Sequence, residues 1–403
     1  MSFNTLYNTP DRQRFWAPTR LHAGLGSREL ACDLLAPDRP TVLVVDAHFA
    51  EHPFVEALTR HVGAWTLQVV NQGEPYTTAA EEAVHGLEGR AWNQLLALGG
   101  GSTLDLAKAL LAHRTFGAFR QVGYGALRDL PDLWPVETGC PFVAIPTTAG
   151  TGSETSRYYL LSDPASGKKL VSRSWTLCPS AALLDPFFLQ EMPERLVVQG
   201  AFDAFTHLWE THFCAQEGSA QVRALAQEGM AAILGSMLDL ERTGTLDDRA
   251  RAGLQLASAW GGMALSNVRT GFLHTAGEAL AAQVSLPHPL TLWAFFRTNM
   301  RMFQNVYDIQ GRTLFHLLAP VLACRPEETL TSLQGVWERA FRRTGAEGHL
   351  RGAFRRNPPL LAPILDIVCA DRVLLTKEAP RPLLEAEVRS AIEEVMADWS
   401  APA

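Results

Sequence analysis

The chain has 403 residues, 47% apolar and 19% charged, and its 35 basic against 42 acidic side chains leave a net charge of −7. At about 150 residues per domain this suffices for two or three domains, each with its own core, and excludes disordered, collagen-like and coiled-coil chains. Binding nucleic acid would need a dense basic stripe, yet no Lys/Arg run exceeds two residues, and no apolar run approaches the ~18 residues of a membrane span.

The start of the chain, Met1–Pro10, lacks the basic beginning and apolar core of a secretory signal. Cys32, Cys140, Cys178, Cys214, Cys324 and Cys369 are scattered, with no CxxC pair, and read as thiols of a cytoplasmic protein. In chain order, Thr41–Asp46 and Thr66–Val70 are short β-branched runs. Asn93–Leu98 runs into three glycines, and Phe142–Ile145 runs into Pro146 and a Thr/Gly loop. Helical stretches lie between them at Pro53–Val62, Thr78–Leu87 and Ser102–His113. Continuous apolar strands alternating with helices predict a parallel sheet covered on both faces, an α/β, Rossmann-like domain. After Leu183-Leu-Asp-Pro186 the pattern turns helical, with long segments at Ala220–Leu240, Arg249–Leu265 and Glu385–Trp399. The expected division is therefore an α/β domain over 1–186 and an all-α domain over 187–403. Gly345–Pro363, with Arg351, Arg355, Arg356, Pro358 and Pro359, reads as a surface excursion or a basic contact patch.

The loop Gly99-Gly100-Gly101-Ser102-Thr103-Leu104-Asp105, ending at Lys108, joins a strand to a helix. Glycines permit close backbone approach, and amides at a helix start hold a diphosphate. The loop is neither a GxGxxG fingerprint, since Leu104 stands at the third glycine, nor a Walker loop. A tight strand-to-helix turn explains one or two of the glycines; three followed by Ser favour phosphate. Ile145–Glu154 follows a second strand and offers Thr147, Thr148, Thr151 and Ser153. Two such loops at the carboxyl ends of parallel strands mark one ligand crevice. Asp46 ends an earlier strand, where an acid accepts from a ribose diol and repels a 2′-phosphate, favouring NAD(H) over NADP(H). The same residue also reads as a helix N-cap. Lys169 is a further candidate for capturing the anionic cofactor.

Asp203 and His207 stand four residues apart, which places both on one helix face. With His274 and His288 they make one carboxylate and three imidazoles, a donor set suited to Fe²⁺ or Zn²⁺. Taken singly, each histidine also reads as a hydrogen-bonded core or surface residue. The inverted zinc-protease pattern around His207-Leu-Trp-Glu210 fails, because Thr211 occupies the second histidine position.

The glycine loop 99–108, the Pro146–Glu154 loop, Leu184-Asp-Pro186, Asp203-Ala-Phe-Thr-His207 and His274 with His288 fourteen residues on, in this order, resemble the iron-containing (group III) alcohol dehydrogenases. The resemblance runs from about Thr41 to His288. It implies a dinucleotide-binding domain followed by a helical metal-binding domain, the architecture shared with glycerol dehydrogenases and dehydroquinate synthases. It also implies NAD(P) bound in the cleft, a divalent metal (Fe²⁺, alternatively Zn²⁺) on Asp203, His207, His274 and His288, and a homodimer. The implied reaction is NAD(H)-dependent interconversion of a small alcohol and its aldehyde.

Three departures bear on the chemistry. Glu278 stands where the family often has a second histidine, one turn after His274, and reads either as a proton carrier or as a group orienting a ligand imidazole. Arg269 interrupts a stretch of small residues before His274. Its planar fork suits an anionic substrate tail, with Arg157 a second candidate, or it pairs with Glu278 or another acid and holds the loop. Pro289 replaces a glycine after the last histidine. The rival functions are a dehydroquinate-synthase-like lyase using NAD transiently and a binding protein with an inactive site. An Asp as the first metal ligand, where the synthases favour Glu, weighs against the lyase.

Overall fold

The computed structural model describes residues 15–401 except 64, 71, 72, 74, 118–138, 166, 167, 215–218, 372 and 373. The chain divides into two compact units, Trp16–Glu191 and Met192–Ala403.

In the first unit the strands are β1 (Arg20–Ala23), β2 (Thr41–Asp46), β3 (Trp65–Val70), β4 (Gln94–Gly99), β5 (Phe142–Pro146), β6 (Tyr158–Asp163), β7 (Lys168–Arg173) and β8 (Ala181–Leu184). Six of them form a parallel sheet in the order β1-β8-β5-β4-β2-β3, and β6 and β7 pair as an antiparallel hairpin. Successive strand side chains point to opposite faces, so each apolar run supplies two cores. Val42, Val44, Leu95, Ala97, Phe142 and Ala144 meet the side occupied by α2 (Thr77–Gly86) and α3 (Gly101–Phe116). Leu43, Val45, Leu96, Leu98, Val143 and Ile145 meet the other side, against α1 (Pro53–Val62). The parallel, doubly covered sheet expected from the sequence is present. β1, β8 and the β6–β7 hairpin were not anticipated: their runs are short or mixed, and β1 and β8 are strands through distant partners while β6 and β7 pair with each other.

The second unit is helical among its described residues. It comprises α4 (Glu194–Phe213), α5 (Ala220–Thr243), α6 (Asp248–Asn267), α7 (Phe272–Ala281), α8 (His288–Gln310), α9 (Arg312–Val321), α10 (Thr329–Arg343), α11 (Ala346–Arg356), α12 (Leu361–Ala370) and α13 (Glu385–Ser400). The boundaries follow capping chemistry: the Ser219 hydroxyl accepts from Val222 N at the start of α5, the Asp247 carboxylate accepts from Ala250 N at the start of α6, and Gly244 ends α5 with φ 76°. α4 is buried continuously from Ala201 to Phe213. Phe202 meets Trp293, Phe296, Trp337 and Phe341 edge-on, with centroids 4.9–5.6 Å away.

One expectation is corrected. Gly345–Pro363 is no excursion: α11 occupies most of it, burying Leu350, Ala353 and Phe354, an i, i+3, i+4 stripe. Arg351 on that helix donates to the carbonyls of Asp398 and Ala401. The six cysteines are thiols, as expected. Among the described residues no helix is long and apolar enough to cross a membrane.

Candidate metal centre and glycine loops

α4 presents Asp203, His207 and Glu210 one turn after another on a single face. α7 contributes His274, and His288 is the first residue of α8. Asp203, His207 and His274 each bring one donor atom within 4.8 Å of the others, all three residues being buried. His274 Nε2 lies 4.0 Å and His288 Nε2 3.7 Å from Asp203 Oδ1. The His207 and His274 rings stack with centroids 4.5 Å apart, and His288 is tilted 5.5 Å from His274. Donors about 2.1 Å from one tetrahedral ion stand about 3.4 Å apart, so the His274 and His288 nitrogens, 4.0 and 3.7 Å from Asp203 Oδ1, are near that spacing. His288 sits at the rim, 25% exposed.

Glu210 gives the group its chemical direction. Its carboxylate accepts from the backbone N–H of Gly271 (2.9 Å), Leu273 (2.6 Å) and His274 (3.3 Å) at the start of α7, and it lies 2.7 Å from His274 Nδ1. An ionised carboxylate only accepts, so Nδ1 carries a proton and, in the neutral ring, Nε2 holds the lone pair. That Nε2 is buried and has no hydrogen-bond partner, a state that costs free energy unless a cation takes the lone pair. Burial pulls the His274 pKa down, but the Glu210 hydrogen bond and the charges of Glu210, Asp203 and Glu278 outweigh it and hold the imidazole above its ordinary value. The site thus favours positive charge and fits a divalent ion. Space is tight: a Cβ on Gly261 of α6 would stand 3.4 Å from the His207 Cβ.

Sequence reasoning met Glu210 only inside a rejected protease pattern. Its signal was an acid on the Asp203–His207 face, seven residues after Asp203, in an otherwise apolar helix. Glu278 lies half-buried one turn after His274, and its charge contributes to the raised pKa there. Of the two readings of Arg269, the structure shows pairing with acids: Nη2 lies 3.0 Å from Asp371 and Nη1 2.9 Å from Glu378.

The glycine loops follow β4 and β5, neighbours paired from Leu95–Phe142 to Gly99–Pro146, so both leave the same edge of the sheet. Gly100 caps α3 without a side-chain acceptor, leaving the first turn a place for an anion. The three glycines are also required by packing. A Cβ on Gly99 would overlap Thr103, one on Gly100 would come 3.2 Å from Thr148, and one on Gly101 would come 2.7 Å from Thr151. Thr148 and Thr151 thus lie against the glycine turn, and Thr147 N donates to Gly99 O at 3.0 Å. Ser102 lies beside it and donates to Gly73 O at 2.6 Å.

Asp105 and Ser153, expected on the cofactor, are instead joined beneath the loops. The Ser153 hydroxyl donates to Asp105 at 2.6 Å, and Leu160 N donates to the same carboxylate at 3.0 Å. Lys108 is fully buried, and its ammonium donates to Ser153 Oγ, Ser156 Oγ and the carbonyls of Ser156 and Tyr158 at 2.7–3.1 Å. Burial pushes Asp105 up and Lys108 down, and each is opposed by the charge of the other. These two residues are one turn apart on a helix buried on all sides from Thr103 to Ala112, so they face protein rather than ligand. Asp46 accepts from His48 N at 2.9 Å as the cap of a short helical turn, Ala47–Phe49. Lys169 lies on β7 opposite Ser162 of β6. Arg157 is buried, its guanidinium 4.8 Å from the Trp175 ring centroid.

Two family models match, iron-containing alcohol dehydrogenase over residues 18–186 and the C-terminal part of the Fe-containing alcohol dehydrogenase family over residues 197–350. The chain belongs to the iron-containing alcohol dehydrogenase family. Among curated relatives of this family member, a probable alcohol dehydrogenase, EutG, of Escherichia coli is 33% identical over 227 residues, 56% of this chain and 55% of that one. A sulfoacetaldehyde reductase of Bilophila wadsworthia is 28% identical over 60% of each chain. The match thus spans somewhat over half the length of these relatives. A crystal structure of 1,3-propanediol oxidoreductase superposes with a TM-score of 0.77 at 20% identity, covering 95% of this chain and 99% of that one, which shows the shared fold.

Proposed function

We propose that this family member is a divalent-metal-dependent, NAD(H)-dependent alcohol dehydrogenase or aldehyde reductase acting on a small alcohol or aldehyde. Residues 1–186 form its NAD-binding half and 187–403 its metal-binding half, in a homodimer. The observation that carries the reading is His274 Nε2, buried, turned away from the Nδ1–Glu210 contact and grouped with Asp203 and His207. Asp203, His207, His274 and the rim residue His288 hold the ion, Fe²⁺ ahead of Zn²⁺. When bound, the ion would supply Lewis acidity toward the alcohol oxygen and the nicotinamide would supply hydride chemistry.

The chain's own residues then do three things. Glu210 fixes His274 in one tautomer. Glu278, one turn further along α7, passes the proton between the substrate oxygen and water. The amides at the start of α3 hold the cofactor diphosphate, while Asp46 accepts from the ribose diol and disfavours a 2′-phosphate. Because Arg269 is engaged by two carboxylates, the reading favours uncharged substrates over those with an anionic tail. A relative named as an NAD-dependent methanol dehydrogenase, from Bacillus methanolicus, supports both the cofactor and the substrate size.

The test is anaerobic purification with metal analysis, followed by NADH and NADPH oxidation with small aldehydes, half of them anionic. Metal bound in wild type and lost in Asp203→Ala, with lasting NADH consumption on neutral aldehydes, supports the reading. Product without net NADH change points to the lyase. Protein that takes up neither metal nor NAD is a binding protein.

A further inference from the structure

We propose that Arg269 is a positioning residue for the metal centre: with Asp371 and Glu378 it clamps the turn whose amides hold Glu210. This rests on reading Asp203, His207 and His274 as metal ligands. Arg269 lies in the short connection between Asn267, the end of α6, and Phe272, the start of α7. Its two terminal nitrogens reach different carboxylates at 3.0 and 2.9 Å, and the three side chains are only 29%, 13% and 16% exposed. A planar fork shared by two poorly solvated acids holds geometry better than an exposed single pair.

The acids are themselves anchored. Asp371 accepts from Leu374 N through its side chain at 3.0 Å and from Leu375 N through its carbonyl at 3.1 Å. Glu378 ends the helical turn Leu374–Glu378. That turn lies directly on Gly271: a Cβ there would stand 2.9 Å from the Glu378 carbonyl and 3.1 Å from Glu210 Oε1. Gly271 is two residues after Arg269 and gives Glu210 the first of its three amides. The clamp therefore acts on the peptide units that keep Glu210 aimed at His274 Nδ1.

Both acids lie beyond residue 350, where the match to the C-terminal family model stops. Through Arg269 the segment carrying Asp371 and Glu378 becomes part of the support of the metal site. Released, the turn moves by the few tenths of an ångström that weaken a charge-assisted hydrogen bond, and outer contacts of this kind control metal affinity by about 10–100-fold.

The experiment measures the Zn²⁺ dissociation constant by competition with a chelating dye on the full-length protein, together with the Tm of the metal-free form. Arg269→Ala is expected to weaken Zn²⁺ binding at least tenfold, and Arg269→Lys to recover part of it. Asp371→Asn and Glu378→Gln, which keep the volume of each side chain, are expected to weaken it about threefold each. They keep the test readable if Arg269→Ala fails to fold. A Zn²⁺ constant within twofold of wild type in all variants, with only the metal-free Tm lowered, overturns the proposal and leaves Arg269 a fold contact. If wild type itself binds no Zn²⁺ or Fe²⁺, the metal-centre reading falls and the clamp falls with it.

Discussion

Glu210 Oε2 lies 2.7 Å from His274 Nδ1 across 64 residues of sequence, and three amides of the turn before and into α7 point at the same carboxylate. An acid on α4 thereby both caps α7 and sets the tautomer of its histidine. Cap and orienting partner are one group, so disturbing it has two separable consequences.

Glu210→Gln keeps the volume but presents an N–H₂ toward donors. Metal affinity is expected to fall about 10–100-fold. The metal-free protein is expected to lose about 1.5–3 kcal/mol, the range for hydrogen bonds to a charged group. Dye-competition metal titration and urea unfolding of the metal-free form read the two effects separately. Unchanged affinity would show that Glu210 is a cap alone.

Lys108→Met removes four hydrogen bonds from a fully buried ammonium and leaves Asp105 without its countercharge. A loss of about 3–5 kcal/mol is expected, as for a buried pair broken on one side. The double variant Asp105→Asn/Lys108→Met is expected to lose less than the sum of the single variants, because it buries no lone charge. NADH binding, followed by nucleotide fluorescence, should weaken in both single variants through disorder of the Ser153–Tyr158 segment.

Gly101→Ala places a methyl group 2.7 Å from Thr151 Cγ2 and 2.8 Å from its Oγ1. Overpacking of this kind costs about 1–3 kcal/mol. Adding Thr151→Ala removes both atoms and is expected to restore at least half of the loss. Tm and the KM for NADH check this together; a double variant no better than the single would place the strain elsewhere.

His212 is buried, and its pKa is lowered to about 4 by burial first and then by the charge of Arg223. Its folded value lies below the ordinary 6.5, so the unfolded chain takes up the proton first. Stability is therefore intact near neutrality and lost as pH falls from about 6.5 toward 4, by about 2 kcal/mol at pH 5. Urea midpoints of the metal-free protein at pH 7 and pH 5 should show a smaller acid loss in His212→Gln than in wild type. Equal losses would mean that His212 protonates without penalty.

The sequence by itself determined what depends on local periodicity and short-range spacing. Continuous apolar runs specified strands buried on both faces, because alternate residues such as Val42 and Leu43 must serve opposite cores. The glycine triplet and the Asp203–His207 pair were legible because each lies within a single turn or helix. The donor set including His274 and His288 rested on motif order. Tertiary structure alone decided what lies between elements distant in the chain. It made Glu210 the partner of His274, turned Asp105 and Ser153 inward around Lys108, and paired Arg269 with acids 102 and 109 residues away. It also recast the arginine-rich 345–363 stretch as a packed helix, since Leu350 and Phe354 found a core to enter. A charge has no preferred partner in sequence: which acid meets which base is settled by packing, because a partly buried ion must be paired where the fold leaves it.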